Sequence, residues 1–448
     1  MSSECPFPGH GYYLNLLNTQ SVPGGKLSGG VNKEGIAFYN NIFDELLANG
    51  IIPFVTLFHW DLPQALEDEY TGFLNPLIID DFRDFSELCF KEFGDRVKHW
   101  ITINEPFGYT NGGYDGGYRG SYAPGRCSYR DLCAHGNSAT EPYIAAHHLL
   151  LSHAAAVKLY KEKYQTSSNH TTAVDGSQPI QKGEIGMTLI TNWMVPYSSN
   201  VLDVKAAQRA LDFIYGWFLH PLVYGEYPQI MQSLVGSRLP KFTEEQIEML
   251  KGSFDFLGLN YYTGNYAADV PVRSGNISST TDSMVSLSTY DINGVAIGYP
   301  TENDDFFVYP RGLYNLLMYT KMRYKNPIIY ITETGIADRK DGTIKHIEDL
   351  HRIDFYNRHF WAVQKAINKG VKVKGIFGWS FLDDFEWASG YHLGFGFHYV
   401  DFENELKRIP KLSAIWFKHF LNKSSEKDVA ELTIPKSLSH VLSQVRED

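Results

Sequence analysis

No run of apolar residues in this chain approaches the roughly 20 positions that a membrane-spanning helix needs, so no membrane partner is expected. Cationic clusters are lacking as well. Lys and Arg number 40 against 51 Asp and Glu, the formal net charge is −11, and nucleic acid is excluded as an expected partner on the same ground. Cysteine is scarce: 4 in 448 residues do not make a disulfide scaffold, although Cys127 and Cys133, six residues apart, could bridge one loop. The opening MSSECPFPGHGYY has no charged segment followed by an apolar one, so no secretory signal is read and a cytoplasmic protein is expected. What the chain does have is apolar substance. Its 43% apolar and 15% aromatic residues can bury a large core, and its length permits one big α/β barrel or two to three domains.

Residues 1–30, rich in Gly, Pro, Asn and Ser, show no convincing period and read as an irregular arm. From Lys33 onward helix and strand alternate. Residues 34–49 carry apolar side chains at helical spacing and stop at Asn49-Gly50. Residues 51–58 read as a buried strand, 80–93 as a helix ended by Gly94, and 97–103 as the next strand. Further strands are expected near residues 187, 257, 330 and 376, with helices over 139–164, 201–252, 311–324, 354–369 and 411–421. Residues 270–300 are polar and without period, which reads as a long loop. No repeat or linker divides the chain, so a single domain over 1–448 is expected. Strands alternating with helices imply right-handed crossovers and a parallel sheet. Six strands are counted where a closed (β/α)8 barrel has eight.

Two of these strands end on a glutamate. In Thr102-Ile103-Asn104-Glu105-Pro106 the proline cannot donate to a ladder, so the strand stops and Glu105 stands at its C-terminal lip, before a Gly- and Tyr-rich loop over 108–125. In a parallel α/β sheet that lip is where catalytic groups are displayed. The stretch Ile328–Gly335 repeats the design: an apolar run, then Glu333, then a glycine. A barrel can bring the two together although they are far apart in sequence. Two such carboxylates are what a retaining glycosidase needs: at about 5–5.5 Å, one attacks the anomeric carbon and the other protonates the leaving oxygen. The acid must start protonated, so burial and the neighbouring carboxylate should raise its pKa.

Other polar residues have plainer readings. Asp383-Asp384 invites a metal, but no His or Glu stands at a matching spacing, and a solvated loop is expected instead. His147, His148 and His153 lie on one expected helix and read as packing or surface residues, not zinc ligands. No metal or other cofactor is expected.

Six segments in order, LFHWDLPQAL (57–66), TINEP (102–106), GWFLHPLVYGEYP (216–228), FLGLNYYT (256–263), ITETG (331–335) and GWSFLDDFEW (378–387), make the chain resemble the plant β-glucosidases of glycoside hydrolase family 1. The resemblance runs from about Gly25 to Leu421 and implies a (β/α)8 TIM barrel, altered in or lacking its first two strands, that hydrolyses small-molecule β-glucosides with retention. By position, Glu105 resembles the family's acid/base and Glu333 its nucleophile. His59 and Asn104 match positions that bond sugar hydroxyls, and Tyr262 one that contacts the nucleophile. Trp379 matches the floor under the sugar ring, and Glu386 with Trp387 the grip on its far hydroxyls. The segments 109–125 and 270–300 would hold the aglycone. Relatives with glutamine in place of the acid/base cleave thioglucosides, so Glu105 points to O-glucosides.

The chain also departs from that pattern. The first strand, with a sugar-binding glutamine, and the second, with an arginine near the nucleophile, are not found, and the chain reads as shortened at its N-terminus relative to the family. Thr334 stands where the family has asparagine, and Gly394 where an arginine is common. A non-catalytic relative that binds a sugar or a sister subunit is the competing reading. Homo-oligomerisation stays open.

Overall fold

The structure, a computed structural model, describes residues 11–15, 21–22, 24–117, 122–165, 181–271, 277–340 and 347–422. Most of the chain that was read as an arm, 1–30, therefore lies outside it, as do 118–121 and 272–276 of the two segments assigned to the aglycone.

Continuous apolar runs with both faces covered are the mark of parallel strands wrapped by helices. Residues 52–58 bury all but their first residue, residues 99–104 all but theirs, and 256–260 are wholly buried. Seven strands form one parallel sheet in sequence order: β1 (Gly11–Asn15), β2 (Ile52–Phe58), β3 (His99–Asn104), β4 (Glu184–Ile190), β5 (Phe256–Asn260), β6 (Ile328–Glu333) and β7 (Lys372–Ile376), the last of which buries none of its residues. Six of them are those expected from the sequence.

The seventh corrects the reading of residues 1–30. β1 lies within that stretch and pairs in parallel with β2, Gly11 opposite Ile52. Its five residues, GYYLN, are too short to show a period amid Gly- and Pro-rich neighbours. The second strand of the family's barrel thus has a counterpart, and it contains no arginine. Among the described residues β1 pairs only with β2 and β7 only with β6.

The sheet curls around its own side chains. The Phe54 ring of β2 stacks on His99 of β3 at 4.0 Å and meets Tyr330 of β6 at 5.0 Å and Phe377, just beyond β7, at 4.9 Å. Phe256 of β5 closes the layer, 5.1 Å from Tyr330. Inward side chains from alternate strands fill a barrel of this kind in layers, making it a packed core and not a pore.

Helices cover the outside by amphipathic spacing. α1 (Lys33–Ala48) starts at Asn32, whose side chain accepts from the Glu34 amide. α2 (Leu77–Phe93) buries Ile78, Phe82, Phe85, Cys89, Phe90 and Phe93, a stripe at helical spacing. Each such side chain contributes about 1.5–3 kcal/mol on burial, which stabilises a helix that would be marginal alone.

α3 (Pro106–Tyr114) replaces the loop expected after Glu105. Proline at a first helical position loses no bond, and that overrides the breaking effect of the Gly residues. α4 (Glu141–Tyr160), α5 (Pro310–Arg323), α6 (Leu350–Asn368) and α7 (Leu412–Asn422) follow. His147 and His153 are buried packing residues of α4. The expected long loop over 270–300 holds a helical turn, Ser279–Asp282, and a strand, Val285–Ser288. That strand joins a small sheet with Gly264–Asp269 and Trp193–Pro196 near the C-terminal lip. No helix among the described residues is long and apolar enough to cross a membrane.

Candidate active site

β3 delivers Asn104 and Glu105 to the lip. Glu105 itself has φ 45° and ψ 60°, a left-handed conformation that costs a non-glycine residue about 1–3 kcal/mol. The strand ends and α3 begins on that one residue. Its carboxyl is buried and accepts a 2.6 Å hydrogen bond from Asn260 Nδ2 at the end of β5. The same amide nitrogen lies 3.2 Å from Asn104 Oδ1, while Asn260 Oδ1 accepts from Thr332 Oγ1 at 2.7 Å. Asn260 is thereby locked between β3 and β6. Sequence reading passed over it, although it stands inside the FLGLNYYT segment.

Glu333 ends β6 and is buried. Tyr262 donates its hydroxyl to Glu333 Oε2 at 2.6 Å. Two residues on, Gly335 is required by close approach, since a Cβ there would stand 1.9 Å from the Trp379 carbonyl. The Trp379 amide in turn donates to the Thr334 carbonyl at 2.8 Å, so the segment after Glu333 anchors the loop after β7.

That loop brings in the remaining residues. Trp379 hydrogen-bonds Glu386. The Trp387 ring lies 5.7 Å from His59 and 4.5 Å from Trp60, and Trp379 lies 6.2 Å from His59. His59 Nε2 accepts from Asn104 Nδ2 at 3.0 Å, and burial pushes its pKa down to about 4, so it is neutral. Trp60, another residue not singled out from the sequence, donates Nε1 to the Asn104 carbonyl at 2.9 Å. The structure therefore gathers Glu105, Glu333, His59, Asn104, Tyr262, Trp379, Glu386 and Trp387 at one lip. Cys127 and Cys133 are bonded to each other. No group of His, Cys, Asp and Glu among the described residues could hold a metal ion.

Two buried carboxyls, Glu105 and Glu333, and the half-buried Glu386 must share their protons. Burial pushes Glu105 up to about 7, against the opposing pull of the Asn260 bond. Burial first, and then the charge of Glu105, raises Glu333 well above the usual carboxylate range. Glu386 is pushed up to about 8 by burial and by Asp384. Glu105 and Glu333 titrate as a pair. The Tyr262 hydroxyl favours leaving the negative charge on Glu333 and the proton on Glu105.

This has a consequence for stability. Below pH 4.5 the Glu105 side chain is protonated in folded and unfolded chains alike. Between pH 4.5 and about 7 the unfolded chain releases the proton and the folded one keeps it, so stability falls as pH rises. Over that window the loss is about 3 kcal/mol. Glu105→Gln, which keeps an oxygen for Asn260, is expected to raise the melting temperature at pH 8 and to leave it near the parent's at pH 4.5. Equal differences at both pH values would contradict the assignment.

From Glu105 and Trp60 a cleft of about 660 Å³ runs outward. Phe213, Ile214, Val285 and Leu287 are among its lining residues, together with the polar Asp115 and Ser279. Both aglycone-assigned segments contribute to it.

The profile of glycosyl hydrolase family 1 matches residues 14–426. Furcatin hydrolase of Viburnum furcatum is 54% identical over 92% of this chain and 74% of its own length. The chain belongs to glycosyl hydrolase family 1. Within that family it is similar to β-glucosidase 12 of rice, Oryza sativa, at 50% identity over 92% of this chain and 79% of the relative. Among solved structures, the rice Os3BGlu6 β-glucosidase superposes with a TM-score of 0.85 at 41% identity, covering 91% of this chain and 83% of that one. A mutant of the same rice enzyme has been solved in a covalent complex with Glc. The fold is accordingly the family's TIM barrel. The protein is an enzyme, a glycoside hydrolase of the β-glucosidase type.

Proposed function

We propose that this chain, folded as one barrel domain, is a retaining O-β-glucosidase of small-molecule glucosides, of the kind found among plant specialised metabolites. The observation that carries the reading is the shared asparagine. Glu105 and Glu333 stand at the ends of β3 and β6, with β4 and β5 between them in the sheet, yet Asn260 bonds Glu105 directly and reaches Thr332, the neighbour of Glu333.

In this reading Glu105 gives its proton to the glycosidic oxygen while Glu333 attacks the anomeric carbon. Glu333 Oε1 is buried and has no hydrogen-bond partner among the described residues, which leaves a lone pair for the attack. The covalent glucosyl-enzyme then takes up water, activated by Glu105 acting as a base. Asn104 and neutral His59 bond the sugar hydroxyls, Trp379 lies under the ring, and Glu386 with Trp387 holds the far edge. The apolar residues that line the cleft suit an aromatic or terpenoid-like aglycone. The covalent Glc complex of the rice relative and the similarity, at 48% identity, to the raucaffricine-O-β-D-glucosidase of Rauvolfia serpentina support the same reading.

Rapid-quench kinetics with an activated aryl glucoside tests it. A burst of phenol equal to the enzyme present is expected, with a glucosyl unit on the peptide that contains Glu333. Absence of the burst together with α-glucose as first product would sink the retaining mechanism. Sugar binding without turnover would favour the non-catalytic alternative.

A further inference from the structure

Behind the loop that grips the sugar lies a buried ionic cluster that the chemistry above does not use. Asp383 is 3% exposed, where the sequence suggested a solvated loop. Ammonium groups meet both its oxygens: Lys340 Nζ is 2.8 Å from Oδ2 and Lys411 Nζ 3.3 Å from Oδ1. Oδ1 also accepts the Gly396 amide at 2.8 Å. Lys411 reaches Asp338 as well, at 3.5 Å, and Asp338 pairs with the fully buried Arg352 of α6. Removing one partner from such a cluster leaves an uncompensated buried charge.

The cluster is coupled to the site by short backbone links. The Ser380 amide donates to Phe395 O at 3.1 Å, the Phe397 amide to Ser380 O at 2.8 Å, and the Asp383 amide to His398 O at 3.0 Å. The strap that carries Asp383 is thus laced to residues 395–398, and Phe395 packs on Tyr262 with ring centres 5.9 Å apart. Glu386 and Trp387 stand three and four residues beyond Asp383 in the same loop.

Gly394 explains how Lys340 gets in. A Cβ at 394 would stand 2.7 Å from Asp383 Oδ1 and 2.8 Å from Lys340 Cε. The Lys340 ammonium also lies over the Tyr399 and Phe402 rings, 4.8 and 4.7 Å from their centres, which holds it in that space.

We propose that Lys340 is a positioning residue for glucose recognition: it pins Asp383 from the space that Gly394 leaves, and so sets where Glu386 and Trp387 stand. The inference rests on the glucosidase reading and names the residues that tune its sugar half. Lys340→Met, Lys340→Arg and Gly394→Ala are compared with the parent chain in two assays, steady-state hydrolysis of an aryl glucoside and glucose titration by calorimetry. Lys340→Met is expected to raise KM and the glucose dissociation constant about tenfold, as for loss of a charge-assisted bond to the sugar, while kcat falls less than about threefold. Lys340→Arg should restore both constants. Gly394→Ala, which crowds the pair and removes no charge, should reproduce the Lys340→Met pattern.

Parental constants in both Lys340→Met and Gly394→Ala overturn the proposal, as does a fall in kcat alone. If Lys340→Met does not fold, Gly394→Ala decides by the same constants. Glucose titration needs no turnover. A parent that binds glucose but hydrolyses nothing counts against the catalytic reading and leaves the positioning role to be decided by the variants, whereas a parent that binds no glucose overturns both.

Discussion

Glu333→Gln is expected to lower kcat/KM by about 10⁵-fold with every substrate, good leaving group or poor. The double displacement runs through a bond from this carboxylate to the anomeric carbon, and an amide oxygen is too weak a nucleophile to form it. The surroundings leave no substitute. Glu105 is committed to the leaving oxygen and Glu386 is held by Trp379. The Gln side chain keeps the volume and can still accept from Tyr262, so the fold should survive. The variant should therefore bind glucose with near-parental affinity while failing to turn over even the most activated aryl glucoside. Residual hydrolysis that still depends on leaving-group ability would remove Glu333 from the nucleophile's role.

Glu105→Gln should behave differently. General acid assistance contributes about 10²–10⁴-fold, and it matters only where the departing oxygen needs a proton. Hydrolysis of alkyl glucosides is expected to fall by about that factor in the first step. A nitrophenyl glucoside, whose leaving group departs unaided, should still glucosylate Glu333 and then stall, because the water that completes the cycle lacks its base. Azide needs no base. Added azide should therefore restore turnover of the nitrophenyl substrate and release β-glucosyl azide. Equal losses on all leaving groups, or no response to azide, would show that Glu105 is not the acid/base.

Much of this architecture could be read from the residues, and for a definite reason. Parallel strands buried on both faces leave continuous apolar runs such as Ile52–Phe58, and a glutamate stationed at the end of such a run is visible at once. β1 was not visible because five residues next to glycine carry too little pattern. α3 was hidden by its glycines, and its start is decided by Glu105 and Pro106 together. Asp383 was misread because its partners, Lys340 and Lys411, come from distant segments, and side-chain burial by other parts of the chain leaves no local trace. The same holds for Asn260: its segment was recognised, but its grip on two strands exists only in three dimensions.

The aromatic layer of Phe54, His99, Phe256, Tyr330 and Phe377 fills the interior of the curled sheet below the site. In the proposed reaction substrate and products pass through the cleft at the C-terminal lip, and the order of departures follows. In the proposed function glucose is held deepest and the aglycone in the outer cleft, so the aglycone is expected to leave before water takes its place beside Glu105. Glucose goes last, by the passage its partner has vacated. A second acceptor waiting in that passage, such as an alcohol, competes with water for the same glucosyl group. Under the proposed covalent mechanism, transglycosylation is therefore an expected side reaction, governed by whichever hydroxyl compound crowds the entrance.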